Sequence, residues 1–332
     1  MLGAAMALAA CSHGDAGKGA AALGPARTVA FAVGTPGSDF VTDISLGCAD
    51  AAAMLGWTFR RVLNPQPTPD AHITAIRQAV TARSDVIVTV DWYQAVVDEI
   101  AAGQKQGAHF ALVNSANNPA SLAGLGVPFA GQQPRDNGRV MGQRMAEALK
   151  ARGLAAGSVL VGNPFPGSAN VEERIAGIGE GLASMPGLRM VSFPDGSAQD
   201  PVASVGLYRA KVVELGNVVG HAAAGGEMSA VPLLKALSGM APGAGGRPVV
   251  AGWSSSLAQL NMVKAGRIDF ALDENLYYQG FLAVFMAWSM IERGLPATSL
   301  AAGHSWVEPA TVTAMIASYE TRRQRAVAYG LA

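Results

Sequence analysis

Charge is scarce in this chain: Asp, Glu, Lys and Arg make up 14% of its 332 residues, with 24 of each sign and a net charge of zero. Binding nucleic-acid phosphates takes clustered Lys and Arg, and here the basic residues are scattered, which argues against nucleic acid as a partner. Cysteine is nearly absent, with only Cys11 and Cys48. No CxxC pair or Cys/His cluster of metal-ligand spacing occurs and the five histidines are dispersed, so no metal or cofactor is expected. A G-x-S-x-G elbow, a P-loop and a zincin motif are also missing; Gly252-Trp253-Ser254-Ser255-Ser256 lacks the second glycine, and Gly162 and Gly167 do not form G-x-G-x-x-G. Without a reactive constellation, the chain reads as a non-enzyme. No later segment reaches about 18 uninterrupted apolar residues, so none is expected to span a membrane.

What is present is apolar bulk. Half of the residues are hydrophobic, enough for a large core and, by length, about two domains. At the start, Met1 to Ala10 is too short to cross a bilayer but fits the apolar core of a secretory signal, although no Lys or Arg precedes it. It closes on Leu8-Ala9-Ala10-Cys11, which resembles the lipobox of bacterial lipoproteins. That resemblance implies cleavage before Cys11, lipidation of Cys11 and anchoring to a bacterial membrane in the periplasm or at the cell surface, with residues 11–27 as a Gly/Ala-rich tether. Cys48, left without a partner, is expected to be a buried free thiol.

From Arg27 onward, strand and helix alternate, the pattern of parallel sheets covered on both faces. Apolar strands are expected at 28–33, 57–63, 85–90 and 109–113, with a short one at 127–130. Helices at 40–55, 69–83 and 94–106 separate them. The pattern then restarts through 137–272, and a last helix is expected at 280–293. The fold class is thus α/β, two doubly wound Rossmann-like lobes in series, whose strand ends face a shared cleft where ligands of such sheets bind.

The stretch from Val249 through Gly252-Trp253-Ser254, Gly266-Arg267-Ile268 and Phe270 to Gly280 resembles the closing segment of the type I periplasmic sugar-binding proteins, the ribose-binding group. Gly34 to Phe40 in the first loop agrees with that group, as does Gly162 to Gly167 followed by Arg174-Ile175-Ala176-Gly177. The resemblance spans about 28 to 300. It implies a three-crossing hinge with crossings near 131–133, 252–254 and 274–275. The N-terminal lobe is then 28–131 plus 275–295, and the C-terminal lobe 132–274 plus 296–332. It also implies a monomer that captures a small polar solute, a sugar or sugar-like molecule, and delivers it to a membrane permease of the ATP-binding-cassette type.

Carried over position by position, the resemblance implies that Ser38 is a polar ligand contact, Phe40 a stacking surface, Arg174 a grip on hydroxyls and Glu274 a polar contact beside Asn275. Three positions depart from the group: Asn114-Ser115 replaces Asp-Arg, Gly225-Gly226 replaces Asn-Asp, and Ser254 replaces an Asp after Trp253. An ionised Asp accepts two strong hydroxyl hydrogen bonds, so losing two of them loosens the expectation of an ordinary pentose or hexose. Arg174 leaves room for an anionic ligand, and pairing with Glu172 or Glu173 is its bland alternative. Phe40 and Trp253 stand equally as core or as cleft aromatics. Asp91 is either a helix cap or a ligand contact, and Trp92 a stacking surface. Two rival readings share the fold, a receptor subunit for a chemotaxis or sensor-kinase system and the core of a LacI-type regulator. The latter should open on a basic helix-turn-helix, where this chain has a lipobox.

Overall fold

The computed structural model describes residues 23–238, 246–253 and 256–332. Cys11, Ser254 and most of the loop 241–247 lie outside the described residues. The chain builds two six-stranded sheets, each flanked by helices. The first lobe opens with β1 (Thr28–Gly34), α1 (Asp39–Leu55), β2 (Thr58–Asn64), α2 (Pro69–Thr81) and β3 (Val86–Asp91). It continues with α3 (Ala95–Lys105), β4 (His109–Ala116), α4 (Pro119–Gly124) and β5 (Phe129–Gly131). The second lobe runs through α5 (Pro134–Ala151), β6 (Gly157–Asn163), α6 (Ala169–Leu182), β7 (Leu188–Pro194), α7 (Pro201–Leu215) and β8 (Val218–Ala223). Then follow α8 (Glu227–Leu237), β9 (Val249–Trp253), α9 (Leu257–Lys264) and β10 (Phe270–Asp273). The chain returns to the first lobe with α10 (Leu276–Arg293) and β11 (Ser299–Ala301), and ends with β12 (Ser305–Val307) and α11 (Val312–Ala328).

The two strand orders correspond: β11-β5-β4-β3-β1-β2 and β12-β10-β9-β8-β6-β7. Among the described residues every strand pairing is parallel except that of β10 with β12. Central strands such as β3 and β9 are buried along their whole length, as expected of parallel strands covered on both faces. The helices follow from local signals. Ser38 caps α1 by accepting from the Val41 amide, Asp39 stands in its first turn, and Gly56 ends it with φ 71°. In the second lobe α5 and α6 approach until a Cβ at Gly138 would lie 2.1 Å from the Arg174 carbonyl oxygen, and one at Gly177 would lie 2.1 Å from that of Arg135. Only glycine permits that spacing, and it fixes α6 against the start of α5. Cys48 is a buried free thiol, pushed above its ordinary pKa by burial, within 3.5 Å of the Gly280 carbonyl between α1 and α10.

Three differences from the sequence reading concern the hinge. The crossings are 131–134, 273–276 and 301–305; of the one expected near 252–254, Gly252 and Trp253 lie inside the second sheet. There they are zipped to Ala271 and Leu272 of β10. Residues 299–301, expected in the C-terminal lobe, form β11 and pair with β5 of the first sheet. Finally, α11 follows the helix expected to be last. Its buried residues Val312 and Tyr319 join the second-lobe core, while Ala326 packs with Ala49 of the first, so this helix spans both lobes.

Candidate functional site

Parallel strands direct their carboxyl ends, and the loops that follow them, toward the seam between the lobes. In the first lobe that rim is aromatic. Phe40 at the start of α1 and Trp92 after β3 have ring centroids 5.9 Å apart, and both are partly buried against the core. Behind Trp92, at 5.5 Å, lies the fully buried His72 ring. Its Nδ1 faces the Gly34 amide at 3.2 Å and its Nε2 the Thr89 hydroxyl at 3.1 Å; burial pulls its pKa to about 4, so the ring is neutral.

Asp91 neither caps α3 nor stands free for a ligand. It is fully buried and accepts from the Asn118 amide at 2.7 Å and from Asn118 Nδ2 at 3.0 Å, which ties the end of β3 to the loop after β4. Burial raises its pKa despite those bonds. Ser38 accepts from Val41 in its capping role, and its hydroxyl proton remains able to donate. Asn114 sits at φ 63° near the end of β4, its side-chain oxygen accepting from Ser115 at 3.1 Å.

The second lobe brings charge. Arg174 on α6 is 6% exposed, and its two terminal nitrogens reach three elements. One donates to the Ala224 carbonyl beyond β8 at 2.6 Å. The other donates to Glu274 at 2.8 Å and to Gln132 at 3.4 Å, residues on two different crossings. The guanidinium also lies over the Trp253 ring, 3.9 Å from its centroid, and the Trp253 indole N–H donates to the same Glu274 oxygen. Burial lowers the Arg174 pKa and the Glu274 carboxylate works against that. The nearby carboxylates are otherwise occupied: Glu172 accepts from Asn163 and the Gly167 amide, and Glu173 pairs with Arg135. The position of Gly225 has its own steric reason, since a Cβ there would lie 2.2 Å from Pro164. Glu227 accepts from the Ser256 hydroxyl within the second lobe.

The lobes also touch directly. Asn170, one helical turn before Arg174, donates to Ser115 at 2.8 Å. Across the seam Asp39 accepts from the Tyr319 hydroxyl at 2.8 Å and the Leu257 amide at 3.4 Å. Among the described residues, the buried polar atoms of this region without a partner include Arg174 Nε, Gln132 Nε2, Asn170 Oδ1 and Gln279 Oε1. Buried polar atoms are rarely left unpaired. Gln132, Asn170 and Asp39 were not among the residues expected from sequence. Asn170 could have been found from its i, i+4 spacing to Arg174 on one helix face. Asn275 stands apart from the cluster. At φ 54° it donates to the Ala302 carbonyl and accepts from Ser305, joining the second crossing to the third.

Two α/β lobes of matching strand order, hinged by three crossings and meeting at a polar seam, define a two-lobed binding protein of the type I periplasmic fold. The chain belongs to the periplasmic binding protein domain family, whose model matches residues 29–295. Among solved structures it is similar to an ABC-transporter solute-binding protein from Burkholderia graminis in complex with D-arabinose, at 21% identity and TM-score 0.74 over 86% of this chain and 96% of that one. A sugar-binding protein of a sugar ABC transporter from Bacillus halodurans shares 20% identity, TM-score 0.75, over 87% and 99% of the two chains. A solute-binding protein from Bacillus halodurans C-125 with bound myo-inositol shares 17%, TM-score 0.70, over 88% and 98%. At these identities the likeness is one of fold. No curated protein sequence matches the chain.

Proposed function

We propose that this chain is an extracytoplasmic solute-binding protein that captures a small, neutral, polyhydroxylated ligand of the sugar or polyol class between its lobes and delivers it to an ABC-type permease. The observation that carries this reading is the buried group of Arg174, Glu274 and Gln132, with unpaired donors and an acceptor at the junction of both lobes and two crossings. Hydroxyl groups both donate and accept, which matches that mixture. Because Glu274 already balances the Arg174 charge, a neutral solute fits better than a sugar acid. Phe40 and Trp92 supply the apolar surface for a ring face. Similar structures hold D-arabinose and myo-inositol, which supports the class without fixing the member. The lipid anchor at Cys11 completes the proposal: it would keep a loaded monomer near its permease at high effective concentration.

The test is a thermal-shift screen of pentoses, hexoses, cyclitols and sugar acids, followed by calorimetric titration of any hit. A neutral polyol should raise the melting temperature by linkage, and Arg174→Ala should remove the rise. Stabilisation by sugar acids alone would overturn the neutral-ligand reading. A rise that persists in Arg174→Ala would move the ligand elsewhere.

A further inference from the structure

The last helix, α11, lies beyond residues 29–295 matched by the family model, and its two halves sit on different lobes. Its 17 residues span about 25 Å at 1.5 Å per residue. The first half belongs to the second lobe, where Val312 and Tyr319 are buried in an apolar cluster with Leu260, Val263 and Val307. The second half meets α1 of the first lobe, where the fully buried Ala326 packs in a small cluster with Ala49 and Leu331.

The seat on α1 is polar. Asp39, Asp43 and Asp50 stand at i, i+4 and i+11, one face of that helix, and α11 engages all three. Tyr319 donates to Asp39 at 2.8 Å, the Arg322 guanidinium holds Asp43 through bonds of 3.2 and 3.3 Å, and Asp50 accepts from Arg325 and Tyr329. Asp39 also accepts from the Leu257 amide of α9, so the start of α1 is held by two helices of the second lobe. The two seats differ in what release costs. Drawing Val312 and Tyr319 out of their core would expose apolar surface, whereas the bonds on α1 can be exchanged for bonds to water at little net cost. Burial raises the Asp43 pKa although Arg322 opposes the shift, so that carboxylate would recover hydration on release.

We propose, on the reading that the lobes close on a solute, that α11 is a latch on closure: its first half moves with the second lobe, and its second half engages the acidic face of α1 when the lobes meet and leaves it when they part. A helix fixed in both lobes would prevent their separation, and the polar seat is the one that can let go. Engagement therefore biases the unliganded chain toward closure, and the latch residues raise solute affinity without touching solute.

The test is the separation of the lobes without solute, read by dipolar electron spin resonance between spin labels at Lys105→Cys and Val213→Cys, exposed positions on α3 and α7. The full chain carries Cys11→Ser, and the buried Cys48 takes no label. Arg322→Gln should lengthen the separation. So should Ala326→Trp, which overfills the seat and leaves Tyr319, Arg322, Arg325 and Tyr329 unchanged. Arg152→Gln, which removes an ion pair with Asp269 inside the second lobe, should not. A solute that restores the wild-type separation should bind Arg322→Gln about tenfold more weakly than wild type. An unchanged separation in both latch variants, whatever happens to the urea midpoint, would make α11 a fixed part of the first lobe and overturn the proposal. Equal lengthening in Arg152→Gln would overturn it as well. Lengthening in the latch variants alone that no pentose, hexose or cyclitol reverses would uphold the latch and count against the solute reading.

Discussion

In the first lobe the loops that follow the strands present Phe40 against Trp92, and the one carboxylate at the end of β3, Asp91, is turned inward onto Asn118. In the second lobe, built on the matching strand order, the same rim presents Arg174 stacked on Trp253 and bonded to both a crossing glutamate and a crossing glutamine. One architecture thus carries two unlike half-sites, an apolar ring surface and a charge-balanced polar grip. The difference sits at the last residues of the strands, in the loops after them and in the first turns of the helices, because strand interiors must fill a core and their ends are freer of that demand. Under the proposed function the two half-sites would have separate duties: the first lobe would offer surface to a ring, and the second would decide which polar groups are accepted.

The strongest way to break this division is to remove the second lobe's grip. Arg174→Ala leaves Glu274 as a buried carboxylate beside Trp253 with its countercharge gone. Breaking a buried pair in this manner costs about 3–5 kcal/mol, and a urea titration should show it. The double variant Arg174→Met with Glu274→Met removes both charges and should recover most of that loss while binding no solute. Equal destabilisation in the single and double variants would mean that the two charges are not energetically coupled.

Next in size is Gly138→Ala. The added methyl collides with the Arg174 carbonyl oxygen across the α5–α6 contact and must push α6 away from the crossing that carries Gln132. A loss of about 2–3 kcal/mol in stability is expected, typical of overpacking. Because the displacement carries Arg174 with it, affinity for the solute should also fall, although the methyl group touches no ligand. Unchanged affinity with reduced stability would show that the spacing serves packing alone.

The order of strands and helices was legible in the sequence because buried parallel strands are continuous apolar runs and the helices between them carry caps and terminal glycines. β11 was not legible: Ser299, Leu300 and Ala301 are all exposed and form no apolar pattern. The same holds for α11, whose buried residues come only every seventh position. Placing a crossing at 252–254 failed since a strand's last residues do not reveal whether their neighbour lies in the same sheet. At the site, Arg174 and Glu274 were singled out in the sequence through the resemblance, position by position. Gln132 and Asn170 were not, because neutral amides carry no signal until the fold brings them together.

The two lobes also differ in their buried histidines. In the first lobe His72 is bonded at both ring nitrogens, whereas in the second His221 on β8 is fully buried with neither nitrogen bonded. Burial holds both neutral, with pKa about 4 and about 3. Both folded values lie below the unfolded value near 6.5, so as pH falls below 6.5 the unfolded chain takes up protons that the native one does not. Stability therefore declines on acidification, down to about pH 4 for His72 and pH 3 for His221, by at most about 1.4 kcal/mol per pH unit for each. His221→Leu should flatten the decline between pH 6 and pH 4 in denaturant titrations, and should not lower stability at pH 8, because it removes no bond. His72→Leu should also flatten the decline but cost stability at pH 8, where two hydrogen bonds are lost.

The smallest expected effect tests whether the contacts across the seam belong to binding at all. Ser115→Ala removes the acceptor for Asn170, a single bond between the lobes. A neutral hydrogen bond contributes about 1 kcal/mol, which corresponds to roughly a fivefold change in an equilibrium constant. If that bond forms only when the lobes close, the variant should bind solute roughly fivefold more weakly, and its urea midpoint without solute should be unchanged. If the lobes stay joined without solute, the midpoint should fall and the affinity hold. The two readouts move in opposite patterns, so one variant reports whether the seam opens before the ligand arrives.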